Sequence, residues 1–234
     1  MCKKKIKIII TAILLLLFGV VAIYLRTYYH SVDVDEYLCS STKVNVEKID
    51  HGWIFSGMSA EKALIFYPGA KVETEAYAPI MYMLAENGID CFLVEMPCHM
   101  AFFGINRAEK IIKNYDYKEW YLGGHSLGGA MASNFVADHI DEVSGLFLLA
   151  AYPTKDLSTS DISVVTVYGS RDGVLNIDKI ITGRELMPND YKEVCIEGGN
   201  HAQFGSYGVQ KGDEVAEISA AEQWKQAVEA FANK

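Results

Sequence analysis

Between residues 43 and 232, short unbroken apolar runs alternate with stretches of helical periodicity, and few architectures accept that pattern. The runs at 63–67, 91–96, 143–150 and 163–168 lack polar alternation, so strands there bury both faces. Residues 119–124 and 194–196 are two further strand candidates. Helical spacing occupies 77–85, 105–114, 128–139, 177–186 and 220–232. Doubly buried strands separated by helices pair in parallel through right-handed crossovers. The expected fold class is α/β, a mostly parallel open sheet flanked by helices on both sides. Residues 43–49 and 52–55 add an entry hairpin turned at Asp50-His51-Gly52. The link 153–161 is too short for an inserted cap domain, and 200–219 is an aperiodic connection of the length that usually carries function.

A different pattern governs the first thirty residues. Lys3, Lys4, Lys5 and Lys7 precede 18 uncharged residues, 8–25, which Arg26 closes. As a helix that run spans roughly 27 Å, close to the hydrocarbon thickness of a bilayer. Residues 1–30 are expected to be a cytoplasmic lysine-rich start and a transmembrane signal anchor, 31–42 a tether, and 43–234 the folded domain. The lysines keep the N-terminus in the cytoplasm, giving a single-pass plasma-membrane protein with its domain outside. Cleavage at Val20-Val21-Ala22, giving a secreted protein, is the alternative.

Charge narrows the partners. Of 21 basic residues five lie in 1–30, so the remaining chain holds 16 against 30 acids, a net −14. Such a body repels a phosphate backbone, which argues against nucleic-acid binding. The five cysteines form no C-x-x-C pair, and neither a metal nor an organic cofactor is implied.

The chemistry concentrates in Gly124-His125-Ser126-Leu127-Gly128, a G-x-S-x-G sequence between a strand-like and a helix-like run. That context belongs to a nucleophile elbow, which holds Ser126 at the carboxyl edge of the sheet. A Gly-rich turn with an idle serine is the plain alternative. A serine nucleophile needs a base, and His201 follows the last strand at the same edge. His30, His51 and His139 sit in the tether, a turn and a helix end; His99 follows a strand as a loop residue. His125 adjoins the serine, so its side chain is expected to point elsewhere and pack. Asp172, after the strand at 163–168, is the candidate to orient the base, with Asp161, Asp156 and Glu197 as rivals. An oxyanion site needs backbone N–H groups, expected from Leu127 and from Ala70, with Lys71 second.

Four segments together resemble the α/β-hydrolase superfamily, over about residues 43–232. They are Tyr67-Pro68-Gly69-Ala70-Lys71-Val72, Gly123 through Ala130, Tyr168-Gly169-Ser170-Arg171-Asp172-Gly173, and Gly198 through Gly205. The last runs on into Ser206 through Asp213, which is similar to the compact, capless group placed with dienelactone-hydrolase-like proteins. The resemblance implies an acyl-enzyme hydrolase with Ser126, Asp172 and His201 in the chain order of that superfamily. It implies a small-molecule acyl substrate; the uncharged run 8–25 separately makes the lipid bilayer a second partner. Dienelactone hydrolases proper use cysteine where this chain has Ser126, and Ala70 replaces an expected glycine. A non-catalytic anchored binding domain on the same fold is the competing reading.

Overall fold

The computed structural model describes residues 2–58 and 60–233, apart from the side chains at 2, 3, 5, 8, 22, 23 and 25. Eight strands form one sheet: β1 (Asn45–Ile49), β2 (Gly52–Ser56), β3 (Lys62–Tyr67), β4 (Ile89–Val94), β5 (Glu119–His125), β6 (Gly145–Leu149), β7 (Ser163–Gly169) and β8 (Tyr191–Ile196). Their order is β1-β2-β4-β3-β5-β6-β7-β8. β1–β2 and β2–β4 pair antiparallel, and every later pair is parallel.

The helices are α1 (Cys2–Arg26), α2 (Ala78–Glu86), α3 (Arg107–Asn114), α4 (Leu127–Asp138), α5 (Ile177–Gly183) and α6 (Ala220–Ala232). Alternate residues of each strand feed two separate cores. Leu64, Phe66, Phe147 and Val167 pack with Ile80 of α2 and Val228 of α6. Ile65, Tyr67, Leu122 and Leu148 pack with Ala108 of α3 and Phe135 of α4. Leu64, Ile65, Phe66 and Phe147 are fully buried. Each such side chain contributes about 1.5–3 kcal/mol, which selects this register over a slip of one residue. Local signals set the helix starts: the Ser219 side chain accepts from Glu222 N–H at α6, and Asn176 accepts from Lys179 N–H at α5.

Three differences from the sequence reading stand out. The helix expected over 177–186 is α5 followed by a tighter turn at Arg184–Leu186. The strand at 194–196 begins earlier, at Tyr191, because it pairs along β7 from Val164 to Gly169. Residues 31–42 are docked on the domain and do not form a free tether. Tyr29 bridges to Val72 in parallel. Its N–H donates to the Lys71 carbonyl at 2.7 Å, and its carbonyl accepts from Glu73 N–H at 2.9 Å. The Glu73 carboxylate takes both the N–H and the hydroxyl of Ser31, at 2.7 and 2.8 Å. Val32 N–H donates to the Ser206 carbonyl at 2.8 Å, and Val34 is buried. These bonds run to segments distant in sequence, so composition carries no trace of them.

The N-terminal run forms α1, whose Leu15, Leu16 and Phe18 are exposed. Counted over the described residues, no helix is long and apolar enough to cross a membrane. Of the expected span 8–25, the side chains of Ile8, Ala22, Ile23 and Leu25 lie outside the described set. The transmembrane helix read from the sequence is without structural support.

Candidate active site

β3, β5, β7 and β8 are parallel, so the loops that follow them emerge at one edge of the sheet. That edge collects Ala70, Ser126, Asp172 and His201. Ser126 lies between the last residue of β5 and the first of α4, at φ 53° and ψ −122°. A non-glycine residue there costs about 1–3 kcal/mol, held by the packing around it. The two motif glycines are required by close approach. A Cβ on Gly124 would lie 2.5 Å from the Gly128 carbonyl carbon, and one on Gly128 would lie 2.0 Å from the Tyr67 carbonyl oxygen. Strand, elbow and helix thus touch backbone to backbone.

Asp172 and His201 meet, with Oδ2 2.8 Å from Nδ1 and both side chains 2% exposed. Asp172 Oδ1 accepts from Val174 N–H at 2.9 Å and Leu175 N–H at 2.7 Å. An ionised carboxylate accepts only, so the imidazole proton shared with it sits on Nδ1. Nε2 keeps its lone pair, is buried, and has no hydrogen-bond partner among the described residues. Ser126, Leu127 and His201 line one cavity of about 250 Å³, with Ala130, Ala151 and Leu175 among its walls. The rival acids take other positions. Asp156 is exposed and accepts from Ser158 N–H at 2.9 Å, while Asp161 and Glu197 are exposed.

The backbone donors separate clearly. Leu127 opens α4, where helix N–H groups have no partner within the helix. On the loop after β3, Gly69 N–H donates to the Tyr77 hydroxyl at 3.0 Å and Lys71 N–H donates to the His99 carbonyl at 2.7 Å. Ala70 N–H, between them, meets no acceptor among the described residues. Lys71 is therefore corrected: its amide is already committed and its φ is 59°. Its Nζ instead donates to the Thr27 hydroxyl at 3.0 Å and sits over the Tyr24 ring.

His125 is packed, as its position beside the serine suggested, but against the site itself. Its ring centroid lies 4.4 Å from that of His201, and Nδ1 is 2.8 Å from the Tyr77 hydroxyl. The Tyr77 oxygen accepts from Gly69 N–H and is hydrogen-bonded to His125 Nδ1, while His125 Nε2 is buried without a partner among the described residues. Burial holds His125 well below the ordinary histidine range, and the neighbouring His201 lowers it further. Burial pushes the Tyr77 hydroxyl far above the usual phenol range. A Cβ on Gly69 would lie 2.7 Å from His125 Nδ1, which explains a glycine there. This buried chain from Gly69 to His125 went unread in the sequence, since Tyr77 sits on an ordinary apolar helical face.

The loop bearing His201 is pinned from two sides. Gln223 of α6, fully buried, accepts from Asn200 N–H at 3.0 Å and donates to the Asn200 carbonyl at 2.7 Å. Asp213 accepts from His201 N–H at 3.3 Å and Ala202 N–H at 2.8 Å.

A strand-elbow-helix with buried acid and imidazole at one sheet edge defines a recognisable class of protein. The chain belongs to the alpha/beta hydrolase family, which it matches over residues 63–225. No curated protein sequence matches it significantly. Among solved structures it is similar to Est1E from Butyrivibrio proteoclasticus, at 15% identity and a TM-score of 0.55, covering 80% of this chain and 97% of that one. A protein described as a predicted CIB-like hydrolase from Thermoplasma acidophilum shares 14% identity at a TM-score of 0.61, over 82% of this chain and 99% of its own. A bacterial heroin esterase shares 14% identity at a TM-score of 0.57, over 86% and 88% of the two chains.

Proposed function

We propose that this protein is a serine hydrolase that cleaves carboxylic esters or related acyl compounds through an acyl-enzyme on Ser126. The observation that carries the reading is the 2.8 Å contact between Asp172 and His201 beside a strained serine elbow. Ser126 Oγ attacks the substrate carbonyl while His201 Nε2 takes its proton. Asp172 holds the imidazole tautomer and stabilises the imidazolium. The amides of Leu127 and Ala70 hold the tetrahedral oxygen. The alkoxide leaves with the proton from His201, and water repeats the attack on the acyl-enzyme. A structural neighbour named as a heroin esterase supports the ester reading. The small, mostly apolar cavity favours a compact acyl group, in keeping with a capless member near the dienelactone-hydrolase-like group.

The reading includes an anchor. Residues 8–25 hold the enzyme in the plasma membrane, with the hydrolase domain on the outer side. Its supports are the four lysines before the uncharged run and the exposed apolar side chains of α1. Treatment with a fluorophosphonate probe and mapping of the adduct tests the chemistry: labelling at Ser126 is expected, and an unlabelled protein leaves a binding domain. Protease added to intact protoplasts tests the anchor, with release of an active domain expected. A protected domain overturns the topology, and a mature N-terminus at Ile23 makes the enzyme secreted.

A further inference from the structure

Asp213 lies outside the reacting set, yet its carboxylate accepts four backbone N–H groups. Oδ1 takes Gly173 at 3.0 Å, His201 at 3.3 Å and Glu214 at 3.0 Å, and Oδ2 takes Ala202 at 2.8 Å. Gly173 follows Asp172, and Ala202 follows His201. One side chain therefore joins the acid's loop to the base's loop, 40 residues from the first and 12 from the second. The two loops also touch directly: a Cβ on Gly173 would lie 2.6 Å from the Gly212 carbonyl oxygen. Two acceptor oxygens with about four lone-pair sites suit this task, and an amide offers only one acceptor oxygen.

We infer that Asp213 is a positioning residue of the proposed reaction, its carboxylate fixing the backbone on both sides of the Asp172–His201 contact. The inference rests on the reading of Ser126, Asp172 and His201 as the reacting groups. Asp213 touches neither Oγ of Ser126 nor the cavity, so it acts through the two loops. A misplacement of about 1 Å in such a site costs on the order of 100-fold in rate.

The test uses the full chain, p-nitrophenyl acetate and the fluorophosphonate probe. Asp213→Asn is expected to stay folded by circular dichroism, to lower kcat about 10–100-fold and to leave KM within about threefold. The rate of fluorophosphonate labelling at Ser126 falls by a similar factor in the folded variant, since the pair that activates the serine is misplaced; a purely structural role would leave it unchanged. Asp213→Ser serves as the second variant, with the same expectations. A folded variant with kcat and labelling rate unchanged overturns the inference. Failure of both variants to fold assigns Asp213 to stability and also overturns it. If the wild-type chain is neither labelled at Ser126 nor active, the hydrolase reading fails first; a labelled, active wild type with unaltered variants sinks this inference alone.

Discussion

His125 stands against His201 with ring centroids 4.4 Å apart, so two imidazoles share one buried space beside the elbow. Only one of them has an acid partner. Asp172 faces His201, whereas His125 faces the neutral hydroxyl of Tyr77. Burial and the adjacent His201 keep His125 uncharged, so the buried space holds no second positive charge beside His201.

Stability should report this directly. In the unfolded chain a histidine takes up a proton near pH 6.5, while folded His125 stays neutral to a lower pH. Below about 6.5 the unfolded state binds more protons, so stability falls as pH falls, by up to about 1.4 kcal/mol per unit for this group. His125→Gln, which can still hydrogen-bond to Tyr77, removes that slope. Urea titrations of both proteins from pH 5 to 8 check it, and parallel stability curves would contradict the assignment.

Ser126 separates chemistry from fold. Ser126→Ala should abolish ester hydrolysis with little change in stability, as a nucleophile's loss costs several orders of magnitude in rate. Ser126→Gly should be equally inactive yet about 1 kcal/mol more stable than Ser126→Ala, because glycine adopts φ 53° without strain. Melting temperatures of the two variants decide the point; equal values would show that the elbow's strain is not borne by residue 126.

Asp172→Asn keeps the shape but offers Nδ1 no anion. Its Oδ1 still accepts from Val174 and Leu175, so the loop should hold. Turnover should drop roughly 10³–10⁴-fold. Asp156→Asn and Asp161→Asn, both at exposed positions, should stay within about twofold of the wild type. An equal loss at either, with Asp172→Asn active, would move the orienting role elsewhere.

The docked N-terminal segment makes truncation informative. Removing residues 1–26 leaves Tyr29, Ser31 and Val32 in place, and the product should be active. Removing residues 1–34 strips the two bonds between Tyr29 and the Lys71–Glu73 backbone, along with those to Ser31. That loop carries Ala70, so kcat should fall at least about tenfold and stability by about 2–4 kcal/mol, at about 1 kcal/mol per lost hydrogen bond. Equal activity in the two truncations would show that the segment only decorates the domain.

The legible parts were those written in local periodicity and local geometry. Strands β3, β4, β6 and β7 read as unbroken apolar runs because parallel strands covered on both faces must be apolar. The elbow read from its glycines, because backbones in contact exclude a Cβ. Ser126, Asp172 and His201 could be expected together because the strands before them all end at one edge. What remained hidden depended on atoms brought together from far along the chain. Lys71 lost its place as a donor to the His99 carbonyl, and the expected tether became a docked segment through backbone groups that every residue type possesses. Tyr77 carries no distinguishing pattern, and His125 and Asp213 fall in segments whose pattern names no role for them, since a hydroxyl, an imidazole and a carboxylate acquire their roles from what they face. Sequence by itself determined the layered α/β architecture and the identity of the nucleophile candidate, because both rest on spacing within single elements. Tertiary structure alone decided which acid meets which base and what holds their loops, because hydrogen bonds across 12 to 48 residues depend on distance in space.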